Sequence, residues 1–284
     1  MVYNILRISI YRGILRILGK MTRYLKSEIF MPRFFVPKES IDQEKRSVTI
    51  GGEDARHISR SLRMAVGDCI TVCDGETMEY DCALTSFDND CVHCEIKDAH
   101  ALTTEPPFAA RIYQALPKGD KLDTVIQKST ECGAASLMTF ESEFCIAKEK
   151  TDSADRKLER RRRIALEAAK QCGRGIIPEI LPTSDFKTAI REASKADMPI
   201  FCYEGEGTVP LGELIRAWKG KIGIEKGNKP EISVVIGSEG GFSSEEAKFA
   251  KENGMLMAGL GGRILRSETV AGFVLACLVY EFEL

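Results

Sequence analysis

No stretch of this chain constrains its fold more than Val234–Ala271, which reads VVIGSEGGFSSEEAKFAKENGMLMAGLGGRILRSETVA. The β-branched residues Ile232, Val234, Val235 and Ile236 predict a strand that runs into a glycine turn, Gly237-Ser238-Glu239-Gly240-Gly241. A helix is predicted to open at Ser243 or Ser244, with Glu246 placed to close a Ser-x-x-Glu capping box. A second glycine turn, Leu260-Gly261-Gly262, precedes Arg263-Ile264-Leu265-Arg266-Ser267-Glu268-Thr269 and a final apolar helix. Two such turns beside one strand end let backbone press close against a flat ligand, because glycine has no Cβ and accepts positive φ.

Several chemistries use a strand, a glycine turn and a helix. A P-loop requires a Lys-Ser or Lys-Thr pair after its glycines, and none follows here, which argues against nucleoside triphosphate hydrolysis. A dinucleotide fingerprint opens a βαβ unit with G-x-G-x-x-G, whereas this spacing is G-x-x-G-G and lies near the C-terminus. A tight turn without a ligand is the plain alternative. Two arginines and a glutamate beside the second turn exceed what such a turn needs.

The rest of the chain reads as two regions. Between Phe34 and Ile96, short segments (FFVP, SVTI, CITVC, YDCALTSF, CVHCEI) are punctuated by Asp74-Gly75 and Asp88-Asn89-Asp90, which predicts a small β-barrel with one helical piece at 53–64. Residues 101–107 (ALTTEPP) have the composition of a linker. Beyond them, strands predicted at 110–116, 136–139, 198–203, 232–236 and 255–260 alternate with helices at 120–132, 153–171, 211–218 and 244–253. That alternation predicts an α/β domain with a mostly parallel sheet. The last helix is apolar around most of its circumference (Val270, Phe273, Val274, Leu275, Ala276, Leu278, Val279, Tyr280), so it lies in a large core or is shared with a partner.

Charge is uneven along the chain. Residues 1–30 carry six Lys/Arg against one acid, residues 31–105 carry eight against fifteen, and the remainder balances at 26 against 26. The first segment is a basic leader, either disordered or extraneous, or an amphipathic helix for a membrane surface or RNA; its charges preclude a membrane span. Any nucleic-acid contact must come from local basic patches, since the net charge is −2. Ten cysteines spread over 284 residues, with no evident signal peptide, suit reduced thiols in the cytoplasm.

Five segments, taken together and in order, resemble the RsmE family of 16S ribosomal RNA (uracil-N3) methyltransferases in the SPOUT superfamily. They are Met31-Pro32-Arg33-Phe34-Phe35-Val36; Leu116-Pro117-Lys118-Gly119-Asp120-Lys121; Gln127-Lys128-Ser129-Thr130-Glu131-Cys132-Gly133; Gln171-Cys172-Gly173-Arg174 with Pro178-Glu179-Ile180; and the two glycine turns. Ser238 departs from the family's usual proline and Cys172 from its usual serine. The resemblance implies a PUA-like RNA-binding β-barrel over 31–101 and a SPOUT methyltransferase domain with a trefoil knot over 106–284. It implies S-adenosyl-L-methionine as cofactor, 16S ribosomal RNA within the small ribosomal subunit as partner, and a homodimer. Gly237, Ser238, Glu239, Gly240, Gly241, Leu260, Gly261, Arg263, Ile264, Leu265 and Tyr203 are then expected at the donor. Arg266 is expected to stabilise charge on the uracil, with Glu268 orienting it or accepting the N3 proton. The bland reading of Glu268 is a first-turn acid at a helix N-terminus. Arg33, Lys118, Lys121 and Arg174 are expected to contact RNA. Alternatives are a SPOUT enzyme acting on transfer RNA or a ribose 2′-hydroxyl, and a non-catalytic RNA-binding protein.

Other constellations carry less. Cys69/Cys73 and Cys91/Cys94 invite zinc, but positions 91 and 94 face opposite sides of a strand, and Val92, Cys94 and Ile96 form the inward row. No metal is expected. His57, His93 and His100 accompany no nucleophile motif. The run Arg156-Lys157 with Arg160–Arg163 is either a solvated helix face or a phosphate contact.

Overall fold

In the computed structural model, residues 31–149, 151–220 and 229–284 are described, without the side chain of Thr151. The leader expected at 1–30 lies outside the described residues. The chain divides between Leu102 and Thr103 into two units.

The first unit contains β1 (Arg33–Phe35), β2 (Ile41–Asp42), β3 (Ser47–Gly51), α1 (Gly52–Arg56), β4 (Cys69–Cys73), β5 (Met78–Phe87) and β6 (Cys91–Ala101). They form one six-stranded sheet in the order β1-β4-β5-β6-β3-β2. Every pairing is antiparallel except β1 with β4. Period-two alternation buries Val92, Cys94 and Ile96 against Val48, Ile50, Ile70, Val72, Tyr80, Cys82 and Leu84. Cys69 is exposed while Cys73 is buried. Burial raises the thiols of Cys82 and Cys94 to about 12, as expected of small hydrophobes. Among the described residues no group of three His, Cys, Asp or Glu is placed to hold a metal ion. The helical stretch predicted to reach Met64 ends in a π turn at His57–Ser61, because Arg63 takes left-handed backbone, φ 52°.

The second unit contains β7 (Ala109–Ala115), α2 (Lys121–Glu131), β8 (Ala134–Glu141), α3 (Ala154–Cys172), β9 (Glu179–Asp185), α4 (Phe186–Ala193), β10 (Met198–Cys202) and β11 (Val209–Pro210). It continues with α5 (Leu211–Lys219), β12 (Glu231–Ile236), α6 (Ser244–Glu252), β13 (Leu256–Gly259) and α7 (Ser267–Phe282). Its seven-stranded sheet runs β11-β13-β10-β12-β7-β8-β9, with every pairing parallel. Residues 232–236 of β12 are all buried, the continuous pattern of a strand covered on both faces.

The pair β9–α4 was not anticipated. Pro182 and the polar Thr183-Ser184 disguise β9, which tolerates a proline because it is an edge strand. The helix signal was legible, however: Asp185 caps Thr188 N at 3.0 Å, and Phe186, Ala189, Ile190 and Ala193 fall on one buried face. Residues expected to be a linker are in part built into this unit. A Cβ on Gly133, whose φ is +86°, would lie 2.5 Å from Pro106 Cγ, and Glu105 is held by Arg174. In α7, Val270, Ala271, Val274, Leu275 and Leu278 are buried, whereas Phe273 is 37% and Tyr280 74% exposed. Among the described residues no helix is long and apolar enough to cross a membrane.

Candidate active site

Strand order places the site. β10 lies between β12 and β13, so the turn leaving β12 and the turn leaving β13 flank the end of β10 at the C-terminal edge of the sheet. Ligands of open parallel sheets bind at that edge. A cavity of about 820 Å³ opens there, a size suited to a small-molecule cofactor. It is lined by both turns, by Tyr203 and Glu204 after β10, and by Thr208, Lys121, Arg263 and Arg266.

Beneath the cavity a buried polar junction ties three elements together. Gln114, at the end of β7, is fully buried, and its amide donates to Ser267 Oγ at 2.9 Å and Gly237 O at 3.2 Å. Ser267 Oγ donates in turn to Gly237 O at 2.7 Å. The first glycine turn and the start of α7 are thereby locked to β7. Nothing in the sequence around Gln114 marked it, since the partners lie 123 and 153 positions away.

The glycines of the first turn serve the protein before any ligand. A Cβ on Gly240 would sit 2.7 Å from Phe144 Cβ, and one on Gly237 would sit 3.2 Å from the Phe242 ring and from Gly241 Cα. Gly241 and Gly261 have positive φ, +66° and +99°, with nothing within 4 Å of an added Cβ. Gly262 also faces open space. Close approach of a flat ligand is therefore permitted along Gly261-Gly262, whereas Gly237 and Gly240 are required by packing. The capping box forms as expected: Ser243 Oγ accepts from Glu246 N at 3.3 Å, and Glu246 Oε2 accepts from Ser243 N at 3.1 Å.

One wall is charged. Lys121 Nζ lies 2.6 Å from Glu239 Oε1 and 3.7 Å from Glu268 Oε2. Glu239 also accepts from Lys118 N at 3.2 Å. Burial pushes the Glu239 carboxyl up, but the hydrogen bonds from Lys121 and the backbone prevail and hold it below the ordinary 4.5. Glu268 Oε2 is buried and has no hydrogen-bond partner among the described residues; the Lys121 ammonium, 3.7 Å away, is the charge that faces it. On the rim, Arg263, Ile264 and Arg266 are exposed, Ile264 by 83%. No hydrogen bond or ion pair engages the Arg266 side chain among the described residues.

Comparison with known proteins decides what such a site belongs to. Residues 104–279 match the model of an RNA methyltransferase domain, and residues 50–97 that of an RNA methyltransferase PUA domain. The ribosomal RNA small subunit methyltransferase E of Bacillus subtilis is 32% identical over 89% of this chain and 98% of its own length. The chain belongs to the ribosomal RNA small subunit methyltransferase E family. The crystal structure of the Neisseria gonorrhoeae family member bound to S-adenosyl methionine is 27% identical, with a TM-score of 0.74 over 89% of this chain and 98% of that one. A putative methyltransferase from Legionella pneumophila, solved with the same cofactor, is 26% identical, with a TM-score of 0.75 over the same shares. The chain is an RNA methyltransferase with an N-terminal PUA-like domain.

Within this family frame, the residues singled out in the sequence separate into groups. Tyr203, Gly237, Ser238, Glu239, Gly240, Gly241, Leu260, Gly261, Arg263, Ile264, Leu265 and Arg266 line one cavity, and Lys121 joins them. Glu268 touches that wall through Lys121. Lys118 is exposed beside it. Two of the residues expected at RNA have their side chains engaged inside the protein. Arg174 is 4% exposed and its guanidinium is consumed inside the protein: Nη2 meets Glu105 Oε2 at 2.6 Å, and Nη1 donates to Ala134 O at 2.7 Å and Thr130 O at 3.0 Å. Arg33, whose side chain is also largely buried, pairs with Glu79 at 2.7 Å and donates to Cys73 Sγ at 2.8 Å. Both guanidinium groups are thereby tied into the fold, which their motifs did not express. Gln114, Thr208 and Ser267 were missed: Gln114 is a single polar residue in an apolar strand, and Thr208 and Ser267 are short hydroxyl residues whose partners lie far away in sequence.

Proposed function

We propose that this chain methylates N3 of a uridine in 16S ribosomal RNA, within the small ribosomal subunit and in the cytoplasm, with S-adenosyl-L-methionine as methyl donor. The observation that carries the reading is one cavity lined by two glycine turns and by Arg266, whose side chain has no hydrogen-bond or ion-pair partner among the described residues, with Glu268 set behind its Lys121 wall. Those features suit the donor: Gly261-Gly262, Tyr203 and Leu260, with backbone groups of Gly237–Gly241, Arg263, Ile264 and Leu265, would hold it. When bound, S-adenosylmethionine supplies a methyl group already activated as a sulfonium.

The chain's own task is to position the acceptor and manage a proton and a charge. Attack by N3 requires loss of its proton, which Glu268 Oε2 accepts. Lys121, 3.7 Å away, orients that carboxylate. Negative charge spreading onto the uracil oxygens is met by Arg266 at the N-terminus of α7. Because N3 lies on the pairing edge, the target uridine must be unpaired or flipped out. The apolar residues Phe273 and Tyr280 on the outer side of α7 support a homodimer with the site near the subunit boundary. The family's trefoil knot is part of the same reading.

Nucleoside mass spectrometry of ribosomal RNA from a deletion strain tests the substrate: loss of one 3-methyluridine from 16S RNA is expected. A lost methyl group on transfer RNA or on a ribose instead reassigns the substrate. Calorimetry with S-adenosylmethionine excludes a non-catalytic binder if the donor binds. For Arg266→Ala the rate is expected to fall roughly 10²–10³-fold with little change in donor affinity. A collapse of donor binding would make Arg266 a cofactor ligand or a fold element.

A further inference from the structure

The segment that follows β8, Ser142–Glu149, carries a pattern that the methyl-transfer site does not use. Side chains at 145, 147 and 149 turn inward, and those at 144, 146 and 148 turn outward. The inward set is anchored. Cys145 is buried, with its Sγ 3.2 Å from Ser142 Oγ. Glu149 is held by Arg161 Nη2 at 2.7 Å and accepts from Thr183 Oγ1. Glu143 N donates to Glu246 Oε1 at 2.9 Å, which ties the segment to the capping box of α6. The outward set is an aromatic ring, an aliphatic side chain and a cation: Phe144 is 45% exposed, Ile146 77%, and Lys148 is exposed without an ion-pair partner among the described residues.

This ridge runs between two features of the C-terminal edge of the sheet. At one end, Phe144 Cβ packs against Gly240, a wall residue of the methyl-donor cavity. At the other, Lys148 lines a smaller cleft of about 240 Å³ that also contains Lys157, Arg160 and Asp120. Arg160 is paired with Asp123 and Arg161 with Glu149, whereas Arg156, Arg162 and Arg163 are exposed on the same helix. Lys148 and Lys157 are left to face the cleft, opposed by Asp120 and, at 3.9 Å from Lys157, by Glu149. An exposed ring followed by cations along one edge is the combination that grips single-stranded nucleic acid: the ring stacks on a base and the ammonium groups follow the backbone.

We propose that the Ser142–Glu149 ridge is a single-stranded RNA contact, in which Phe144 stacks on a base beside the target uridine and Lys148 holds a backbone phosphate on the way to the Lys157 cleft. The proposal rests on the reading of the chain as a 16S RNA methyltransferase and names the surface that holds the strand next to the reacting nucleotide. Its occupant is RNA rather than another protein because Lys148 and Lys157 follow the ring, and because the cavity beside it is that of an RNA-modifying enzyme.

The test uses the full chain, a fluorescently labelled 16S RNA fragment and titration by anisotropy across a range of salt. Phe144→Ala, which keeps the Cβ that packs on Gly240, is expected to weaken RNA binding on the order of tenfold at every salt concentration with an unchanged salt slope. Lys148→Gln is expected to weaken binding at low salt and to reduce the log–log slope by about 0.7, one single-strand phosphate contact. Both variants should bind S-adenosylmethionine within about twofold of the parent, which certifies the fold and separates this surface from the donor site, and KM for RNA should rise while kcat at saturating RNA holds. Wild-type affinity and slope in both variants would overturn the ridge while leaving the methyltransferase reading standing. A parent chain that neither binds nor methylates the RNA would overturn both. If Ile146→Ser converts an oligomer to a monomer in light scattering and RNA affinity is unchanged in the Phe144 and Lys148 variants, the ridge is a subunit contact and the proposal is wrong.

Discussion

Replacing Arg174 by methionine separates a structural arginine from an RNA ligand. The side chain of Arg174 is 5% exposed and that of its partner Glu105 8%, so both charges are out of water. Methionine fills much of the same volume but removes every donor that the guanidinium supplies. Glu105 would keep the backbone N–H groups of Gly175 and Ile176, each at 3.2 Å, and the Thr104 hydroxyl at 3.5 Å, and the carbonyls of Thr130 and Ala134 would lose a donor each. Removing one partner of a buried pair costs roughly 3–5 kcal/mol, because the remaining charge is buried without compensation. The sole tryptophan, Trp218, is buried in α5 of the same unit, so its fluorescence follows the unfolding of that unit alone. With a urea m-value of about 2 kcal/mol/M, the midpoint is expected to fall by roughly 2 M. The double variant Glu105→Gln with Arg174→Met should recover part of the loss, since the stranded charge is gone. RNA affinity of the folded single variant should match the parent. A midpoint unchanged within about 0.3 M together with weakened RNA binding would refute the structural assignment and restore Arg174 as an RNA contact.

Three further outcomes are expected. Gly240→Ala forces its Cβ to 2.7 Å from Phe144 Cβ and should destabilise by about 1–3 kcal/mol, whereas Gly262→Ala, with open space around the site, should melt like the parent in calorimetry. Gln114→Leu should weaken S-adenosylmethionine binding roughly tenfold by isothermal calorimetry, because Gly237 and Ser267 lose their tie to β7; an unchanged affinity would mean the Ser267–Gly237 bond suffices. Since Lys121 and the backbone hold Glu239 below 4.5, the stabilisation they confer is complete above pH 4.5 and is lost as pH falls through the lower folded value. Lys121→Met should therefore cost most stability near neutral pH, and the gap to the parent should narrow below about pH 4 in urea titrations at each pH.

Much of the fold is local and was legible. Period-two alternation placed Val92, Cys94 and Ile96 in one buried row, and the Ser243–Glu246 box opened α6 where its residue types required. The β12 turn and the apolar α7 follow from β-branched and glycine chemistry that acts over a few residues. Such signals also sufficed to match the family, because a motif is a local string. Tertiary structure alone decided what each charged or polar residue does, since that depends on partners brought together by the sheet order. Arg174 became an internal clamp because Glu105, 69 positions earlier, closes on it. Gln114 became the tie beneath the cavity because β7 pairs with β12. Within the arginine run of α3, Arg160 was paired with Asp123 and Arg161 with Glu149, while Arg156, Arg162 and Arg163 were left exposed, as was Lys148. Burial and pairing of a charge are properties of three-dimensional surroundings, and a sequence pattern specifies only the residue that can respond to them.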